Sequence, residues 1–202
     1  MEIAMIEIAF ALLLFLFPLA YSPGPGNMVF AANGARFGFR ATLPASVGYH
    51  LATWAVTVLI GFGAVGTLAA MPGLFWALKL AGAGYVFWLA LGLLRAGAWA
   101  DTVEPRPATF RDGVMLLLLN PKAYVIIGLM FTQFLTVTGP ERAALVLVIA
   151  TIFTFNNLMA FSIWTLAGER LGALFANGAS GRVLNVSFGL ILAGVAVWML
   201  WV

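Results

Sequence analysis

The chain has 202 residues, 63% of them hydrophobic and only 8% charged, with a formal net charge of +3 and a mean hydropathy of +1.06. Soluble domains carry about 25% charged residues, so this composition cannot clothe a water-exposed surface and points to an integral membrane protein. Cysteine is absent and histidine occurs once, which excludes disulfides, thiolate metal sites and dithiol redox chemistry and argues against a histidine metal centre or any cofactor.

The chain opens with Glu2 and Glu7, without Lys or Arg, and its apolar run continues into Ser22-Pro23-Gly24-Pro25. A cleaved signal starts with a basic region, so this opening reads as the first span of the mature protein. A spanning helix needs about 20 mainly apolar residues. Spans are expected over Ile3–Ala32, Leu43–Met71, Gly73–Leu94, Gly113–Val137, Ala143–Ala167 and Val183–Val202. Pro44 and Pro72 fall near helix starts, where the missing N–H is harmless. The first segment is too long for one upright helix, so it must tilt, protrude or break.

Basic residues set the orientation. Arg36, Arg40, Arg95, Arg106, Arg111, Arg170 and Arg182 lie by loops one, three and five, against Lys79 and Arg142 on the other side. The positive-inside rule then places those loops in the cytoplasm and both termini outside. The ten Lys and Arg form no patch, so nucleic acid is not an expected partner. The polar stretch 95–112 holds six of the 17 charges and divides the chain into halves, 1–94 and 113–202, of three spans each. With an odd number of spans per half, related halves would be inverted in the membrane. The expected fold is therefore an all-α bundle of six transmembrane helices in two inverted repeats, with helices one and four broken.

The first span is interrupted by Pro23-Gly24-Pro25-Gly26 and the fourth by Asn120-Pro121. Such interruptions at corresponding positions of two halves mark the central site of a transporter. Pro23 and Pro25 release the carbonyls of Leu19 and Tyr21, and Pro121 that of Leu117. In hydrocarbon such groups persist only where protein or water satisfies them. The half-helix after Pro25 begins with Gly26 and Asn27, whose N–H groups favour an anion such as a carboxylate, and Ser22 adds a hydroxyl. A packing kink is the plain alternative.

Lys122 lies ten residues after Asp112, about 15 Å along a straight helix and near mid-depth. A lysine there is a functional candidate by default, the alternative being one that merely ties two helices together. His50 is a proton-relay candidate or an interhelical hydrogen-bonder. Asn156 and Asn157 suit helix association, with substrate contact as the second reading. Gly82, Gly84, Gly92 and Gly189 read as close-packing sites, and Trp and Tyr mostly as interfacial or core residues.

The run Ser22–Asn27, followed by Gly34, Arg36 and Gly38, resembles the first-span Pro-Gly-Pro signature of the lysine exporter/homoserine-threonine resistance (LysE/RhtB) family. Lys79-Leu80-Ala81-Gly82-Ala83-Gly84-Tyr85, with Gly92, is similar to its third-span pattern. Phe110, Gly113 and Asn120-Pro121-Lys122-Ala123, with Gln133-Phe134 following, resemble its fourth-span Asn-Pro-Lys signature. The resemblance covers nearly the whole chain. It implies six spans, proton-driven efflux of small amino acids from the cytoplasm, and a bacterial inner membrane. The family's arginine and lysine exporters tend to carry an acidic residue in span two. Here Val47-Gly48-Tyr49-His50-Leu51 has none, which favours a neutral amino acid.

The expected substrate site comprises Ser22, Pro23, Gly24, Pro25, Gly26, Asn27, Asn120, Pro121 and Lys122, with the amino acid and the lipid bilayer as partners. A homo-oligomer is compatible with the sequence. An ion or metal exporter is the competing reading, against which stand the missing Cys and the lack of a buried carboxylate cluster. Serine hydrolysis would rest on Ser22 and His50, near opposite ends of their spans and with no Gly-x-Ser-Gly block, so no enzyme is expected.

Overall fold

Among the described residues of the computed structural model, which are 2–64, 72–98, 106–135, 140–174 and 179–201, every regular element is a helix. In chain order these are α1 (Glu2–Tyr21), α2 (Pro25–Leu59, continued by a π turn Ile60–Ala64), α3 (Pro72–Ala98), α4 (Phe110–Leu118), α5 (Pro121–Phe134), α6 (Glu141–Leu174) and α7 (Ala179–Trp201). The expected ends at Met71, Val137 and Val202, and linker positions 99–105, lie outside the described residues.

Both proline interruptions end a helix. α1 stops at Tyr21 and α2 starts at Pro25; α4 stops at Leu118 and α5 starts at Pro121, bent by 62° from α4. By length and composition Pro25–Gly63 and Glu141–Leu174 could each cross a membrane, as could α4 and α5 taken as one bent span. Pro72 opens α3 as expected, whereas Pro44 lies within α2.

The expected loop around Arg36 and Arg40 is replaced by a turn at a single residue. Gly38 has φ 83° and ψ 170°, a region open essentially to glycine alone, and it splits α2 into limbs 25–37 and 39–59. Thr42 Oγ1 donates to the Gly38 carbonyl at 2.9 Å, and Asn33 Nδ2 donates to Thr42 Oγ1 at 2.8 Å. Asn33 Oδ1 also accepts from Ala108 N at 3.1 Å, fastening the end of the linker beside the turn. Gly38→Ala should cost about 1–3 kcal/mol. A thermal ramp in detergent should register it as a fall of several degrees for a chain of this size.

α2 packs along α6 and against α4, and α3 lies along α7. Glycines make the closest approaches: Gly168 and Gly172 sit on the Ala31 and Ala35 carbonyls, Gly113 on that of Ala45, and Gly82 on that of Leu119. Gly189 packs on Leu94, but a Cβ at Gly84 or Gly92 would meet no described atom within 4 Å, so among the described residues nothing packs closely on these two.

Burial is inverted relative to a soluble protein. Leu14 and Phe155 are 60% and 62% exposed, whereas Asn27, His50, Lys79, Asn120, Asn156 and Asn157 are all buried. An apolar outside around a polar inside is the distribution that lipid demands, since polar side chains there turn toward the bundle interior.

Candidate functional site

The two breaks meet. Lys122, in the first turn of α5, places Nζ 3.0 Å from Ser22 Oγ and 3.2 Å from the Ser22 carbonyl, between α1 and α2. Gly24 makes room for this: a Cβ there would lie 3.0 Å from Nζ.

Around the first break the backbone carbonyls find partners one by one. Ser22 N donates to Pro18 O at 3.2 Å. Ser22 Oγ donates to Leu19 O at 3.2 Å, Asn27 Nδ2 to Ala20 O at 2.8 Å, and Trp164 Nε1 to Tyr21 O at 3.2 Å. Lys122 takes the Ser22 carbonyl. At the second break Leu117 O accepts from Asn120 N at 3.0 Å. The carbonyls that the prolines release are therefore occupied rather than open, because an unpaired backbone group in an apolar interior costs several kcal/mol.

Donors remain instead. α2 and α5 each begin with Pro at the first position, after Gly24 and Asn120, which provide no side-chain cap. The N–H groups of Gly26 and Asn27 precede the first helical bond of α2, from Met28 N to Gly24 O at 2.9 Å. Unpaired N–H groups, with the positive end of the helix dipole, suit an anionic ligand.

A narrow cleft opens at this junction. Gly24, Pro25, Gly26, Asn27, Tyr49, Asn120, Lys122 and Asn157 line it, beside Leu19, Ile126, Phe153 and Phe161. Among the described residues no acidic side chain does. Lys122 supplies the positive charge, Asn27, Asn120 and Asn157 supply amides, Tyr49 supplies a hydroxyl, and the remaining side chains are apolar.

Of the sequence-derived residues, Gly24 to Asn27, Asn120 and Lys122 line the cavity, and Ser22 reaches it through Lys122. Pro23 and Pro121 shape the breaks without lining it. Asn157 faces the cavity; its neighbour Asn156 is buried elsewhere, its Nδ2 unpaired. His50 stands behind the wall, with Nδ1 2.7 Å from the Ser46 carbonyl and its ring 5.4 Å from that of Phe161. Ser22 is engaged by Leu19 and Lys122, and His50 by Ser46, so these two form no nucleophile–base pair.

Tyr49 and Trp164 were not among the expected site residues. The Tyr49 hydroxyl accepts from Asn120 Nδ2 at 3.2 Å, and Trp164 closes off the Tyr21 carbonyl. An apolar run marks tyrosine and tryptophan only as core or interface. A signal for Tyr49 does exist in its place beside His50, within a span that has no acidic residue.

A family model described as LysE type translocator matches residues 17–201. An uncharacterized membrane protein of Pseudomonas aeruginosa is 32% identical, over 85% of this chain and 88% of its own length. The homoserine/homoserine lactone efflux protein of Salmonella typhimurium is 29% identical over 89% of each chain. The cysteine/O-acetylserine efflux protein of Salmonella paratyphi A is 31% identical over 88% of this chain and 90% of its own. No solved structure matches.

Proposed function

The chain belongs to the LysE type translocator family, and on that premise we propose that it exports small neutral amino acids from the cytoplasm across a bacterial inner membrane. Membership makes it a membrane translocator and not an enzyme. Homoserine, cysteine and O-acetylserine, named for two of the relatives, all carry an uncharged side chain near neutral pH. A cavity without a carboxylate suits such a substrate, because a cationic side chain brought out of water would lack a counter-charge.

The observation that carries the reading is Lys122 at the junction of two broken helices, bridging the halves of the chain. The substrate carboxylate takes the N–H groups of Gly26 and Asn27 and the Lys122 ammonium. The two halves, 1–94 and 113–202, then rock about that point, with 95–112 as the cytoplasmic linker. Support for inverted halves of three spans comes from their matching order. Each has a helix, a proline break, a second helical limb, a longer helix and a closing helix, and the closing helices α3 and α7 pack together. Drive by the proton motive force and both termini outside complete the proposal.

Counterflow of labelled amino acids in proteoliposomes tests it. Uptake of a neutral amino acid, stimulated by a pH gradient, is expected. No uptake of any neutral or basic amino acid under any gradient would end the reading. A resistance assay across metal salts separates it from an ion or metal exporter.

A further inference from the structure

In the export reading, on which this inference rests, the substrate's ammonium group needs an acceptor. The carbonyls released by the prolines are already paired. Among the described residues that line the cavity, one fully buried side-chain atom is not: Asn120 Oδ1 has no hydrogen-bond partner, and Asn120 is only 4% exposed. Buried amide oxygens without partners are uncommon, and each calls for an explanation such as a ligand that arrives later.

We propose that Asn120 Oδ1 accepts the ammonium of the transported amino acid and that Tyr49 is the positioning residue that fixes the amide for this task. Asn120 Nδ2 donates to the Tyr49 hydroxyl at 3.2 Å, which turns Oδ1 away from the tyrosine. Turned over, the same amide would present N–H groups to an ammonium, donor against donor. The tyrosine is itself held. Its ring centroid lies 4.5 Å from that of Phe161 and 5.8 Å from that of Phe30, and the residue is 2% exposed. Asn120 and Lys122 thus divide the two ends of a zwitterion between them, an acceptor for the ammonium and a cation for the carboxylate. The site then distinguishes an α-amino acid from the α-hydroxy acid of the same side chain, whose hydroxyl brings neither charge nor three donors.

The test is competition in proteoliposomes. Uptake of a labelled neutral amino acid that the wild-type protein carries is measured against the unlabelled amino acid and against its α-hydroxy analogue. Wild type should prefer the amino acid. Asn120→Leu, similar in volume but without an acceptor, should reduce that preference about tenfold through a higher KM for the amino acid. Asn120→Asp, which keeps an acceptor, should retain the preference, and Tyr49→Phe should weaken it while transport continues. A merely structural role would lower transport of both competitors together and leave their ratio unmoved, which would overturn the proposal. Should Asn120→Leu fail to insert, the other two variants decide, and any pattern except retention in Asn120→Asp with weakening in Tyr49→Phe overturns it. A wild-type protein that carries no amino acid defeats the export reading itself, an outcome distinct from an unmoved ratio.

Discussion

Lys122→Met should lower amino acid export about a hundredfold while the protein still reaches the membrane. Methionine keeps most of the side chain's length and removes the charge. In the wild type the ammonium touches both the Ser22 hydroxyl and the Ser22 carbonyl, and it is the cation lining the cavity. Hydrogen bonds to charged groups contribute about 1.5–3 kcal/mol each. Loss of two such bonds to a carboxylate comes to about two powers of ten at the lower end of that range. Folding suffers less, because one carbonyl that loses its donor still faces a cavity able to admit water. Lys122→Arg should also be impaired, since a guanidinium is broader than an ammonium and Gly24 leaves only the room that Nζ occupies. Counterflow normalised to inserted protein checks both variants, and undiminished export by Lys122→Met would remove the lysine from the mechanism.

How much of this could be read beforehand depends on how local the governing physics is. Proline removes its own donor and displaces the carbonyl four residues back, so the ends of α1 and α4 were legible from Pro23, Pro25 and Pro121 alone. That the breaks meet was legible only as an inference from their matching positions. The turn at Gly38 was not legible, because in Arg36-Phe37-Gly38-Phe39-Arg40 the charges suggest a loop and nothing local reveals a positive φ. α6 outlasts its expected end at Ala167 and runs to Leu174. Glu169 and Arg170 end the apolar run without ending the helix, whose Gly168 and Gly172 continue to pack on the first limb of α2. Least visible were the partners supplied from afar. Trp164 reaches the Tyr21 carbonyl across 143 positions and Asn120 reaches Tyr49 across 71. The sequence shows that the carbonyls are released; only the assembled bundle shows what takes them.

Gly113→Val should be among the most damaging single changes outside the cavity. A Cβ at Gly113 would overlap the Ala45 carbonyl and lie 2.9 Å from Tyr49 N. Both obstacles are backbone, so no rotamer change can relieve them, and α4 must move away from α2 as a unit. Overpacking a close-packed interior costs about 1–3 kcal/mol where side chains can yield, and here they cannot. Gly113→Ala should therefore lose about 3 kcal/mol, a melting temperature lower by about 10 °C in a chain of this size. Valine, with two more methyl groups, should leave little folded protein. The consequence extends to transport, because Asn120 and Lys122 follow directly on α4, at the break and the start of α5, and a shift of α4 draws both from Ser22 and Tyr49. Gly84→Ala is the matched control. Its Cβ would meet no described atom within 4 Å, and alanine favours a helix interior by about 1 kcal/mol over glycine. A thermal ramp of the three variants in one detergent should rank Gly84→Ala at or above wild type, Gly113→Ala well below it, and Gly113→Val last. A Gly113→Ala protein that melts with the wild type would mean that α4 rests on α2 through side chains rather than backbone.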